Sequence, residues 1–363
     1  MANKEMFSGF EPATKAMWME KVQQELKGKP FETLLTELGE DIKLQPLYTQ
    51  EDIAHLDHSV LSNYNPDWQV GETFEVEDVK TTNKEGLNAL MNGINAPTFY
   101  LKNPLSLSEL KTLFDDIGLK YIYTHFQFGF EVNYEAFFVL WLELLESKGI
   151  ENSEEAPVFF DFDPIGSQAD QATLQAFAKL VKANPSPQLK TIHIDVFRWH
   201  TNEHHVKKEM DGIIEKAEKY FNFLKKAEVD LKKAVEQMYI SIAIGNNYLV
   251  AIAKIRALKL RFLKLLEKYN VAEKTLPFIK ASFAHNTYGA DQQDNLINAT
   301  TMAMSAVLGG VNHLTVRPTG NNSSDKRYAR NIQLILKHES NFHLVADPAQ
   351  GSYYIEKLTE KLK

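Results

Sequence analysis

The sequence predicts an α/β protein, a (β/α)8 TIM barrel over residues 96–363 preceded by an N-terminal arm over residues 1–95. Three observations lead there. From residue 96 onward, eight short β-branched or aromatic runs alternate with longer stretches whose apolar residues recur at three- and four-residue spacing. Parallel strands need helical crossovers, which is the alternation seen. A length of 363 residues suits two or three domains of about 150 residues each, or one large barrel. A doubly wound sheet has the same strand count and stays open as the structural rival.

Within the arm, Glu11 to Leu26 reads as a helix closed by Lys27-Gly28-Lys29-Pro30. Thr33–Leu38 and Asp41–Leu44, joined through Gly39, read as a small hairpin, and Asp52 to Val70 as extended loop. Such an arm is expected to wrap a neighbour. The strand candidates follow at Thr98–Leu101, Tyr121–Thr124, Val158–Asp161, Thr191–Phe197, Tyr239–Ile244, Lys280–Phe283, Asn312–Val316 and Leu344–Ala346. The clearest helix runs from Glu203 to Gln237, with Val206, Met210, Ile213, Ala217, Tyr220 and Leu224 on one face. Asn247 to Tyr269 and Asn298 to Leu308 repeat the pattern. In the fourth strand Ile192, Ile194 and Val196 should face the helices, while Thr191, His193, Asp195 and Phe197 face the axis. In the fifth, Ile240, Ile242 and Ile244 point outward, and Ser241 and Ala243 inward. A last helix starts near Ser352 and reaches Lys363 with no closing glycine, as expected of a piece of a longer polypeptide.

Composition narrows the function classes. Lys and Arg number 40 against 48 Asp and Glu, a net charge of -8 with the basic residues scattered, which argues against a nucleic-acid binder. With no cysteine there is no disulfide, thiolate metal site or cysteine nucleophile. Neither a signal peptide behind Met1-Ala2-Asn3-Lys4-Glu5 nor a membrane-spanning run is visible. The expected location is cytoplasmic.

In a barrel of this type chemistry sits where strands end. Those ends give His125, Asp163, His200, Asn247, His285, Arg317 and Asp347. One enzyme reading is a metal-dependent hydrolase with His193, Asp195, His285, His313 and Asp347 as ligands that activate water. The competing reading is that inward His and Asp pair with each other in a filled barrel, as buried polar groups must. Other motifs read as structure. Gly309-Gly310 caps a helix, Lys225-Lys226 and Lys232-Lys233 form solvated faces, and Tyr121, Tyr123 and Phe159 fill the interior.

Four blocks, in order along nearly the whole chain, carry a family resemblance. They are Ile42-Lys43-Leu44-Gln45-Pro46-Leu47-Tyr48-Thr49 with Glu51-Asp52; Gly245-Asn246-Asn247-Tyr248 leading to Ile252-Ala253-Lys254-Ile255-Arg256-Ala257; Met304 to Gly310; and Ala329 to Leu336 followed by Asp347-Pro348 and Gly351-Ser352-Tyr353-Tyr354. Together they resemble the methylmalonyl-CoA mutase family, nearest the small (beta) subunit of its two-chain form. The resemblance implies a barrel that admits acyl-CoA along its axis, a following domain that binds adenosylcobalamin, and a radical interconversion of methylmalonyl-CoA and succinyl-CoA. It also implies a heterodimer with a large catalytic subunit.

The chain departs from the family's catalytic pattern. Where a Thr-Trp-Thr-x-Arg-Gln-Tyr stretch belongs, it reads Ile94-Asn95-Ala96-Pro97-Thr98-Phe99-Tyr100. The Asn-x-x-Arg of the sixth helix is Asn295-Leu296-Ile297-Asn298. For Gly-Tyr-His, either Trp199-His200 corresponds or Arg198 falls there, and no Ala-Gly-Ala follows. Asp-x-His-x-x-Gly, the cobalamin signature, does not occur. The expectation is a non-catalytic small subunit that stabilises the large one. It would have no catalytic residue beyond a possible remnant at His200, no cofactor in this chain and no cobalamin-binding domain, with adenosylcobalamin belonging to the complex. Bulky Tyr121, Tyr123, Phe159, His193 and Phe197 are expected to plug the axis.

Overall fold

The computed structural model describes residues 13–38, 42–129, 132–184, 186–197, 205–272 and 275–363. Its main sheet is wholly parallel: β1 (Gln69–Glu75), β2 (Ala96–Leu101), β3 (Thr124–Phe128), β4 (Val158–Asp161), β5 (Leu189–Lys190, resuming after Thr191 as Ile192–Asp195), β6 (Met238–Ile244), β7 (Phe278–Phe283) and β8 (His313–Thr315). Each strand pairs with the next, and β8 pairs back onto β1 with His313 opposite Gln69. The two halves of β5 bond to β4 and β6 respectively. The sheet is therefore a (β/α)8 barrel and not a doubly wound sheet.

The alternation expected for the fourth and fifth units holds: Ile192, Ile194, Ile240, Ile242 and Ile244 lie buried under the helices, and His193 and Ser241 turn inward. Helices fill the crossovers, and the chain enters them through polar caps. Asp78, Ser106, Asn133, Asp170, Asn247, Asp291 and Asn322 each accept a backbone N–H of the helix that follows.

Three expectations are corrected. The barrel's first strand is Gln69–Glu75, so the arm ends before residue 69 rather than at 95. Its outward positions, Val70, Glu72 and Phe74, include a charge that Arg330 neutralises from the last barrel helix (N–O 2.9 Å), which hides the period-two signal. The third strand runs over Thr124–Phe128, not Tyr121–Thr124. Its register is set by Phe126, which packs edge-on against Phe137 (4.7 Å) and Trp141 (5.3 Å) in an aromatic layer under the helices. Tyr121 and Tyr123 are left outside, 86% and 37% exposed, and plug nothing. Leu344–Ala346 forms no strand; a short 3-10 turn covers Phe342–Leu344, with Leu344 exposed.

The arm packs on its own chain. Its helix is Lys15–Glu25, and Thr36–Glu37 pairs antiparallel with Lys43–Leu44. Lys15 pairs with Asp52 (2.6 Å), and Tyr48 meets Tyr354 edge-on at 5.8 Å. His58 sits 2.5 Å from Glu356 on the final helix, Tyr353–Leu362. Burial by itself pushes the Glu356 carboxyl up. Hydrogen bonds from His58, Arg256 and the Gly351 amide outweigh that and hold it at about 2. A carboxyl depressed in the folded state stabilises it above the unfolded value of 4.5, and that contribution is lost as pH falls from there toward 2. Urea midpoints measured from pH 6 to pH 2.5 should drop through this window more steeply in the wild type than in Glu356→Gln; parallel curves would refute the assignment.

Candidate functional site

The inward side chains meet across the barrel. His125 on β3 stacks on Phe159 of β4 at 4.1 Å with rings 9° apart, and lies 4.3 Å from His313 on β8, a strand on the far side of β1 and β2. Phe159 also reaches Phe278 on β7 at 4.7 Å and Tyr239 on β6 at 5.5 Å. Tyr239 in turn stacks on His193 at 4.4 Å. Contacts between non-adjacent strands at ring-stacking distance leave no room for a chain threaded down the axis. The axis is plugged, by Phe159 and His193 as expected but with His125, Tyr239, Phe278 and His313 in place of the two exposed tyrosines. Gly71 permits this: a Cβ there would lie 2.5 Å from both His313 Nε2 and Thr315 Oγ1.

Some polar groups in the plug are paired, while His125 Nδ1, the Tyr239 hydroxyl and Lys280 Nζ have no hydrogen-bond partner among the described residues. Gln69 Oε1 lies 3.1 Å from His125 Nε2 and 3.4 Å from His313 Nδ1, while His313 Nε2 sits 2.9 Å from Thr315 Oγ1. Burial, with the Lys280 charge nearby, pushes both imidazoles well below the ordinary histidine range, so both are neutral. His193 differs. Burial opposes its charge, but Asp161, bonded to its Nδ1, and then Asp195 and Asp163 outweigh that and raise it. Its Nε2 is 2.7 Å from Ser241 Oγ. Carboxylate, imidazole and hydroxyl thus line up as in acyl-transfer enzymes. However, Ser241 is buried inside the plug. Lys280 lies inside beside them; burial lowers it, with Asp161 and Asp195 opposing.

The residues singled out at the mouth do not converge. His125 is in the plug, not at the rim. Asp163 accepts from Lys216, from Tyr220 (2.6 Å) and from the Gly166 and Asp195 amides, and so fastens the β4 and β5 ends to the Val206–Lys226 helix. Asn247 is a helix cap, its side chain accepting from the Val250 amide (3.2 Å). His285 is exposed and meets Phe197 edge-on at 5.3 Å; its carbonyl accepts from Arg317 (2.9 Å). His200 lies outside the described residues. Of the proposed metal ligands, Asp347 is bonded to Arg256 behind the barrel wall, and His193 and His313 are committed within the plug. Among the described residues no three His, Asp or Glu side chains are grouped to hold a metal, so the hydrolase reading is not favoured. Sequence reasoning missed Gln69, Asp161, Tyr239 and Lys280. Period-two alternation would have found all but Gln69, whose strand read as loop.

What fold and interior define is a (β/α)8 barrel whose axis is filled by inward side chains. The methylmalonyl-CoA mutase family model matches residues 105–363. The chain belongs to the methylmalonyl-CoA mutase family. It is 26% identical to the methylmalonyl-CoA mutase small subunit of Porphyromonas gingivalis, over 99% of this chain and 62% of that protein. It is 25% identical to the small subunit from Streptomyces virginiae, over 91% of this chain and 57% of the relative. Against the mitochondrial mutase of Bos taurus identity is 23%, over 95% and 53%. The chain thus spans less than two thirds of the length of these relatives. Among the described residues no helix is long and apolar enough to cross a membrane.

Proposed function

We propose that this chain is the barrel of a methylmalonyl-CoA mutase small subunit, that it performs no chemistry itself, and that it stabilises a large catalytic subunit. One observation carries the reading: His125–His313 and Phe159–Phe278 contacts cross the axis that the family uses for acyl-CoA. A barrel that need not admit substrate gains from filling its bore, since close packing stabilises and voids cost. The missing catalytic motifs support the same reading.

Adenosylcobalamin is assigned to the large subunit of the complex. The absence of an Asp-x-His-x-x-Gly stretch from this sequence supports this. The chain's place is the cytoplasm.

The test is co-expression with a large mutase subunit. The two chains should purify together, and mutase activity should be absent from this chain alone. Succinyl-CoA titrated into this chain should give no heat. Saturable acyl-CoA binding to the isolated chain, or failure of the two chains to associate, would overturn the proposal.

A further inference from the structure

We infer that the C-terminal mouth of the barrel binds a phosphate-sized oxyanion on Arg317. The chain leaves β8 through Val316-Arg317-Pro318, and the guanidinium stacks over the Tyr288 ring at 4.4 Å. It donates through Nη1 to the His285 carbonyl (2.9 Å) and through Nη2 to Thr287 Oγ1 (3.2 Å), while Tyr288 donates its hydroxyl to the Arg317 carbonyl (2.6 Å). The arginine is thereby fixed before any ligand arrives. None of these partners is a carboxylate, and among the described residues no ion pair neutralises it.

Arg317 faces the cavity of about 140 Å³, whose lining also includes Thr73, Ser282, Thr315, Lys326 and Arg330. The other cations there are already matched: Arg330 pairs with Glu72 (2.9 Å), the one acid in the lining, and Lys326 with Glu85 (3.1 Å). What remains is one unmatched guanidinium beside the Thr73 and Ser282 hydroxyls, Thr315 being engaged by His313, and this donor set suits a tetrahedral oxyanion. The cavity lies beyond β7 and β8, where barrels of this architecture frequently hold phosphate. Its size admits a phosphate group and excludes a nucleotide. The inference stands apart from the mutase reading and does not depend on it.

The shared chemistry is the phosphate group, either as free inorganic phosphate or as the end of a small phosphomonoester. The experiment is titration of the full chain, at constant ionic strength, with inorganic phosphate and separately with glycerol phosphate. Binding is followed by calorimetry and by the ligand-induced rise in melting temperature. Saturable one-to-one binding of at least one probe is expected, and whichever binds more tightly identifies the source. Arg317→Gln should weaken binding tenfold or more, and Arg317→Lys, which keeps the charge but loses the fork, should fall between. Circular dichroism of both variants should match the wild type, and the lysine variant alone decides the matter if the glutamine variant does not fold. No saturable binding of either probe, or equal binding by wild type and Arg317→Lys, would overturn the inference.

Discussion

Arg256→Met should lower the unfolding free energy by about 3–5 kcal/mol, the usual result of stranding buried carboxylates by removing their partner. Arg256 is 1% exposed, on the helix Tyr248–Lys268. It donates from Nε and Nη2 to Asp347 (2.8 and 2.9 Å), from Nη1 and Nη2 to Glu356 (3.2 and 2.9 Å), and from Nη1 to Thr359 (3.1 Å). This one side chain ties the loop after the last turn and the final helix to the barrel, and through Glu356 and His58 it ties the arm as well. Most of the loss comes from the unpaired acids rather than from the missing contacts. Adding Glu356→Gln to Arg256→Met should therefore restore at least about 1 kcal/mol. The measurement is the urea midpoint of the three variants at pH 7. A single-variant loss below about 1 kcal/mol, or no recovery in the double variant, would refute this account.

Phe159→Ala is the second large effect expected. Its ring, 2% exposed, touches His125, Tyr239 and Phe278 at once. Those partners sit on strands fixed by the closed sheet and cannot collapse inward, so most of the vacated volume stays as cavity. The expected cost is about 3–5 kcal/mol. Because His125, Tyr239 and His313 still block the bore, succinyl-CoA should not bind the variant either. A loss under about 1 kcal/mol would mean that the plug is loosely packed, which would remove the main support for a substrate-free barrel.

Much of the fold was legible because it rests on local periodicity. The outward isoleucines of β5 and β6, and the inward His193 and Ser241 between them, follow from period-two alternation alone. β1 was not legible. A glycine stands mid-strand where His313 and Thr315 crowd in, and its outward Glu72 is acceptable only because Arg330 arrives from the far end of the chain. Tyr121 and Tyr123 were read as interior since aromatic residues before a strand look like strand. The aromatic layer around Phe126 shifted the register and placed them in solvent.

The candidate site divides the same way. Each mouth residue was individually visible as a polar group at a strand end, yet strand-end position does not say whether side chains converge. Asp163 went to Lys216 and Asn247 to a helix cap, while Asp347 went to Arg256, 91 residues away in sequence. Nothing local encodes such pairings.

By itself the sequence determined the class of fold, the facing of the central strands and the resemblance to the family. These are carried by short-range patterns that survive without knowing which segments touch. Only the tertiary structure decided what fills the axis, because ring closure brings β3 to β8 and β4 to β7, and the rings that meet there belong to segments remote in the chain.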